Sequence, residues 1–377
     1  MSRGLLGWEL RKLWSTPLLG IFLLLCLLLN AGVACLHSGD GYIPYTVSIT
    51  RQLGGQMGPG FDAALSALPD GSYKGVLAQD TAGATDIFEG YDAAAFGEKL
   101  CRAAGVTGPA GALLAAKYRR LDAAAARLAA CDAALSLFAG AHTNDLLETF
   151  HAVCLALLLE GIVFSALLAF YTGGYEQRTG TGGAVCATRM GRGVQGYKLA
   201  AGGISALSSF SLLALGTAGV FAALWRLGPL WGANLSSRFH TVGGGLPFIT
   251  WAPFTLAGYF AATLALSAAV ALVCYLLAFA AVLFAGEAAR GLLALVLGAG
   301  ALLLAPLLAR RAGLWLLFEV LQFTPAALVT GQAAWFTDGG VQALFPWQEL
   351  WAALVSLAAA LALLGLAWRR FARKDVN

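Results

Sequence analysis

Six stretches of this chain are long enough, and empty enough of charge, to cross a lipid bilayer as helices. A bilayer core takes about 20 consecutive apolar residues. Leu18–Leu36, Leu199–Trp225, Phe254–Ala285, Gly291–Ala309 and Leu350–Trp368 carry no charged residue, and Leu146–Tyr171 carries only Glu148 and Glu160. Gly291–Ala309 contains Pro306, which a membrane helix tolerates. A weaker seventh segment, Leu314–Thr330, is interrupted by Glu319 and Pro325 and reads as re-entrant or interfacial. The expectation is an all-α membrane protein with six transmembrane helices.

Composition agrees. Of 377 residues, 59% are hydrophobic and 12% charged, against about 45–50% and about 25% in soluble domains. A soluble chain of this size would lack the charge to cover its surface, so a soluble globular enzyme is excluded. Disorder is excluded by the same numbers. The 47 Gly suit close helix packing in lipid. The net charge of +4 hides a split: residues 37–147 hold 8 Lys/Arg against 11 Asp/Glu, and the rest hold 16 against 9. No basic stripe stands outside the membrane flanks, so nucleic acid is not an expected partner. The seven Cys form no CxxC pair and the four His no HExxH, so no metal site is expected.

Orientation follows the basic residues flanking the spans. With the N-terminus inside, the inner flanks hold twelve: Arg3, Arg11, Lys12, Arg178, Arg189, Arg192, Lys198, Arg290, Arg369, Arg370, Arg373 and Lys374. The short outer loops hold four, Arg226, Arg238, Arg310 and Arg311. Both termini are therefore expected in the cytoplasm, although Arg310–Arg311 is a contrary local signal. The long 37–147 segment is then external, where length overrides charge. The first apolar run exceeds the roughly 7–15 residues of a signal-peptide core and reads as an anchor. Ahead of it, Leu6, Leu10, Leu13 and Trp14 fall on one helical face and Arg11 and Lys12 on the other. That is the pattern of an amphipathic helix in the inner interface, bent away from the span at Pro17.

The chain divides into 1–36 (interfacial helix and first span), 37–145 (a mostly helical extracellular domain) and 146–377 (spans two to six). The last part includes a cytoplasmic loop at 173–198 and a re-entrant outer segment at about 314–345. Within 37–85, closely spaced Gly and Pro make long regular structure improbable, with Tyr42–Ile49 read as a short strand. Phe88, Tyr91, Phe96 and Leu100 suggest a helix ending near Gly105. Thr107 and Pro109 start another, and Leu114, Tyr118, Leu121, Ala125, Leu128 and Leu135 carry it to about Ala139. Gly140 ends it, and Thr143 or Asn144 caps the second span. In such a hairpin Cys131 lies about 28 Å beyond the position opposite Cys101, too far for a disulfide, which needs Cα atoms within about 7 Å. Free thiols are expected.

The most informative stretch follows the second span. Tyr175-Glu176-Gln177-Arg178-Thr179-Gly180-Thr181 leads into Ala187-Thr188-Arg189-Met190-Gly191-Arg192 and on to Tyr197-Lys198. A positive-inside loop explains its charge but not its order. This arrangement resembles the ABC-2 type permeases, the six-span membrane subunits of ATP-driven exporters. There a Glu…Gly-Thr motif lies just inside the second span, followed by a short coupling helix, a basic turn and a Lys opening the third span. Glu176, Gly180, Thr181, Arg189, Arg192 and Lys198 stand at the matching places. Trp8-Glu9-Leu10-Arg11-Lys12 resembles that family's interfacial helix, and Phe323-Thr324-Pro325 its re-entrant outer segment. The coupling helix here is small and Gly-rich, Gly182-Gly183-Ala184-Val185-Cys186.

The resemblance implies an exporter permease without enzymatic activity of its own, residing as a multi-pass protein in the cell membrane, a bacterial plasma membrane. It implies an ATP-binding cassette ATPase subunit and a second permease subunit as partners. No GxxxxGK[ST] phosphate loop occurs in the chain, so no cofactor is expected on it, and ATP and Mg belong to the partner ATPase. The alternative is a membrane-anchored sensor or cell-envelope interaction protein that binds through 37–147. An intramembrane enzyme lacks a paired Asp, Ser/His or metal constellation. Glu160, in mid-span, is a functional candidate because ionisable groups are costly there. Its bland alternative is a structural Glu paired with a neighbouring helix. His151, near the outer end of the second span, reads as a solvated or interfacial residue.

Overall fold

The computed structural model describes residues 3–36, 38–39, 41–138, 143–242 and 246–373. The expected helix stop at Gly140 and the charge at Lys374 lie outside these residues, as do the side chains of Thr143 and Asn144. Among the described residues the fold is helical apart from a two-residue antiparallel ladder that pairs Thr241 with Pro247 and Val242 with Leu246.

Among the described residues, six helices are long and apolar enough to cross a membrane, as a membrane-embedded protein requires. They are α2 (Pro17–Ala34), α8 (Thr143–Gly173), α11 (Val194–Trp225), α12 (Leu256–Ala285), α13 (Ala288–Arg311) and α16 (Gln348–Arg373). The central α12 packs against α8, α11, α13 and α16. One contact there is close enough to require glycine: a Cβ on Gly202 of α11 would fall 2.1 Å from the Tyr275 hydroxyl of α12. That hydroxyl donates to the Leu199 carbonyl at 3.0 Å, pinning the two helices. By contrast α13 is scarcely covered, and its Leu292, Leu293, Val296, Leu297, Leu304 and Leu307 are exposed. Apolar surface on this scale suits lipid rather than water.

The remaining helices collect at the two ends. At one end lie α1 (Arg3–Trp14), α9 (Tyr175–Thr179), α10 (Gly182–Cys186) and the last turn of α16. At the other lies the insertion, with α3 (Tyr42–Leu53), α4 (Phe61–Ala67), α5 (Lys74–Thr81), α6 (Ala93–Ala104) and α7 (Gly108–Ala129). The short α14 (Trp315–Leu321) and α15 (Pro325–Thr330) are at that end too, and neither is long enough to span. Gly313, with φ of +69°, turns the chain so that α14 folds back on α13. Thr324 caps α15 through a bond from the Ala327 amide at 3.3 Å.

Two sequence expectations fail in the insertion. Tyr42–Ile49 is helical, within α3, because Tyr42, Ile43, Thr46, Val47, Ile49 and Thr50 form one buried helical face. Pro44 sits in the first turn, where its missing N–H costs nothing. The second long helix stops at Ala129, ten residues short of Ala139; Asp132 takes φ of +49°, and the chain turns into Ser136–Phe138. Cys101 and Cys131 are free thiols; Cys101 packs beside the α6–α7 core and Cys131 is exposed.

The insertion does not keep a core to itself. The α6–α7 cluster takes in Ile249, Trp251 and Leu344 from the later connections. Lys117, 1% exposed, donates to the carbonyls of Asp338 at 2.7 Å and Gly340 at 2.6 Å. The Tyr118 hydroxyl donates to the Asp338 carboxylate at 2.6 Å. Burial pushes the Lys117 amine down to about 8 from 10.5 and the nearby Glu319 carboxyl up to about 7. His240, buried with its Nδ1 against the Leu235 carbonyl, is pushed down to about 4.

Between about pH 8 and 10.5 the unfolded chain holds a proton on Lys117 that the folded chain has lost. Docking of the insertion should therefore strengthen as pH rises through that window. Lys117→Met should remove this rise and cost about 1–3 kcal/mol through the orphaned carbonyls. Thermal unfolding of both proteins in mild detergent from pH 7 to 10.5 measures it; an unchanged slope in Lys117→Met would assign the effect elsewhere.

Candidate functional site

The polar groups at the end opposite the insertion converge on α9. This helix has only five residues, entered through Gly173–Gly174 and stopped by Gly180 at φ of +67°. Gly174 permits a tight approach, since a Cβ there would meet Ala288 of α13 at 2.8 Å. Glu176, in the first turn of α9, is 9% exposed and pairs with Lys198, which is 1% exposed. The Lys198 ammonium also donates to the Thr172 carbonyl at 3.4 Å, and the Gln195 amide donates to Glu176 at 3.5 Å. A buried ammonium needs this set of acceptors, because removing it from water costs several kcal/mol.

The site extends to α1. Glu9 is buried, and Lys12 lies 3.9 Å from it, with its ammonium over the Tyr175 ring. Burial lowers the Lys12 pKa. On α1, Leu13 and Glu9 are buried and Arg11 is exposed, whereas Lys12, expected beside Arg11 on the polar face, is half-buried against the protein and Trp14 is 46% exposed.

The expected site residues do not form one cluster. Glu176 and Lys198 meet. Gly180 and Thr181 form the joint between α9 and α10, where the Thr181 hydroxyl lies 2.7 Å from that of Thr179. Arg192 is tied down, donating to the Ala372 carbonyl at the end of α16 and lying over the Phe371 ring. Arg189 is exposed on the turn after α10, together with Thr181, Gly183, Ala184, Ala187, Thr188 and Met190. Gln177 donates to the Gly286 carbonyl between α12 and α13. The 174–198 segment is therefore rooted in the bundle, tied to α1, α11, α16 and the α12–α13 turn, with only its middle projecting.

Glu160 is elsewhere, in mid-span and 8% exposed. Asn30 of α2 donates to it at 2.8 Å and to Thr217 of α11 at 3.1 Å, so three helices share one polar knot. His151 is not a solvated group. It lies among Phe150, Phe248 and Tyr259.

Glu9, Lys12, Tyr175, Gln195 and Asn30 were not among the site residues expected from the sequence. A signal existed for Asn30, the single amide in an otherwise apolar run. Nothing in spacing alone separates Glu9 and Lys12 from solvated residues. Searches against protein-family models, curated proteins and solved structures find no match.

Lys198→Met leaves Glu176 buried without its partner and should cost about 3–5 kcal/mol. Adding Glu176→Gln should restore most of that loss. Strictly additive losses in a double-mutant cycle would show that the two side chains are not coupled. At the knot, Glu160→Gln keeps an acceptor for Asn30 and should insert and fold. Glu160→Lys places a cation against the Asn30 donors at a depth where charge costs about 2.5–3.5 kcal/mol, and its yield in the membrane should collapse. Equal yields of the two variants would mean that position 160 reaches water.

Proposed function

We propose that this chain is the transmembrane permease subunit of an ATP-binding cassette exporter, coupled to a separate ATPase chain that holds ATP and Mg. In this reading both termini and the 174–198 segment are cytoplasmic, the insertion is extracellular, and the protein sits in the plasma membrane of a bacterium. A second permease subunit completes the translocation path, and the chain itself performs no catalysis.

The observation that carries the reading is the build of 174–198. A loop that merely satisfied the inside-charge preference would need no anchorage. Here Glu176 and Lys198 lock its base, Arg192 and Gln177 tie it to two further spans, and an exposed turn with Arg189 projects beyond them. A partner that moved this turn would move α1, α8, α11 and α16 with it. Arg189 offers the donor for a carboxylate or carbonyl on the ATPase, while Arg192 acts as a strut rather than as a second contact.

Inserting two residues after Thr181 tests this while preserving charge. Expression and topology should stay intact, and an ATPase chain that co-purifies with the wild type in mild detergent should be lost or its hydrolysis uncoupled. Normal transport with the ATPase still bound would make the loop a passive linker.

A further inference from the structure

The last turns of α12 and α16 flank a groove of about 670 Å³, lined by Leu283, Phe284, Leu366, Arg369, Arg370 and Arg373 among others. Arg370 lies 4.4 Å from the Phe284 ring centroid. Arg369 and Arg373 stand one turn apart on α16, both exposed. No carboxylate is among the described lining residues, and the neighbouring Glu287 already pairs with Arg290 at 2.9 Å. The groove floor is apolar: Leu283 is buried, while Phe284 and Leu366 are 51% and 55% exposed on the outer faces of their spans. The rim is fixed, because Arg192 holds the Ala372 carbonyl.

Position decides which ligand suits this chemistry. The groove lies where α12 ends at Gly286, so its floor is level with hydrocarbon and its rim with headgroups. Guanidiniums bind phosphate through paired N–H bonds, and basic pockets between membrane helices hold anionic headgroups. A soluble anion would use the rim and leave the floor bare. We propose that this groove is a binding site for an anionic phospholipid, with Arg369, Arg370 and Arg373 on its phosphate and Leu283, Phe284 and Leu366 along an acyl chain. This rests on the membrane reading alone, not on the transporter assignment.

The full chain, purified in mild detergent at low salt, is mixed with phosphatidylglycerol or with phosphatidylcholine, and retained lipid is counted by native mass spectrometry. Three guanidiniums near a phosphate should favour phosphatidylglycerol by on the order of a hundredfold, and salt should shrink that preference. Arg369→Gln, Arg370→Gln and Arg373→Gln together should abolish it. Phe284→Ala with Leu366→Ala, which leaves the charge in place, should weaken retention of both lipids. Equal retention of the two lipids by the wild type overturns the proposal, whether or not the triple variant inserts. So does an undiminished preference in the triple variant. Displacement of phosphatidylglycerol by millimolar inorganic phosphate alone would also overturn it, marking a free-anion site.

Discussion

A backbone in hydrocarbon has no water to bond, so each polar group of a span must find its partner inside the helix. That constraint arranges the whole chain. Breaks fall where the spans end: at Thr16–Pro17, Gly173–Gly174, Gly286 and Gly313. Everything irregular is driven to the two ends of the bundle. The chemistry of the molecule is correspondingly split between them, and among the described residues the Asn30–Glu160–Thr217 knot lies between, with scattered hydroxyls and thiols.

The two ends are held by different physics. At the insertion end the ties run largely to backbone: Lys117 to two carbonyls, Arg127 to the Trp251 carbonyl, Trp225 to the Ala34 carbonyl, with aromatic rings filling the space between. At the opposite end a charge pair sits at the centre, and rings and amides serve it. Backbone ties fix a shape whatever the neighbouring side chains do. A buried ion pair is different, since each partner is tolerable only while the other stays. The 174–198 segment is therefore an element with one good seat.

The spans were legible because runs of twenty apolar residues have few other uses. Their ends were less so. Lys198 reads as a flank, yet is the fifth residue of α11 and is buried there against Glu176. The insertion was misread where β-branched residues and Pro44 masked a helical face, and where Leu135 happened to continue a period that Asp132 had already broken. At the site, Glu176 and Lys198 stood out by their place in an ordered motif. Glu9 and Lys12 did not, because an amphipathic pattern assigns polar residues to water. Only the fold reveals that the Tyr175 ring of α9 takes the Lys12 ammonium, with Glu9 beside it.

The helix α8 has 31 residues, about 46 Å at 1.5 Å per residue, against a hydrocarbon thickness of about 30 Å. It overshoots the bilayer, and the Asn30–Glu160 bond grips it near the middle of its length. Its ends are packed as well, Leu146 and Phe150 in the core at one and Gly173 against Val282 at the other, so any motion it makes is that of a stiff rod. Any tilt about that grip carries Gly173, beneath α9, one way and Thr143, beside the insertion, the other. A displacement at one face of the membrane thus reaches the opposite face with its sign reversed, and no bond within the helix has to break.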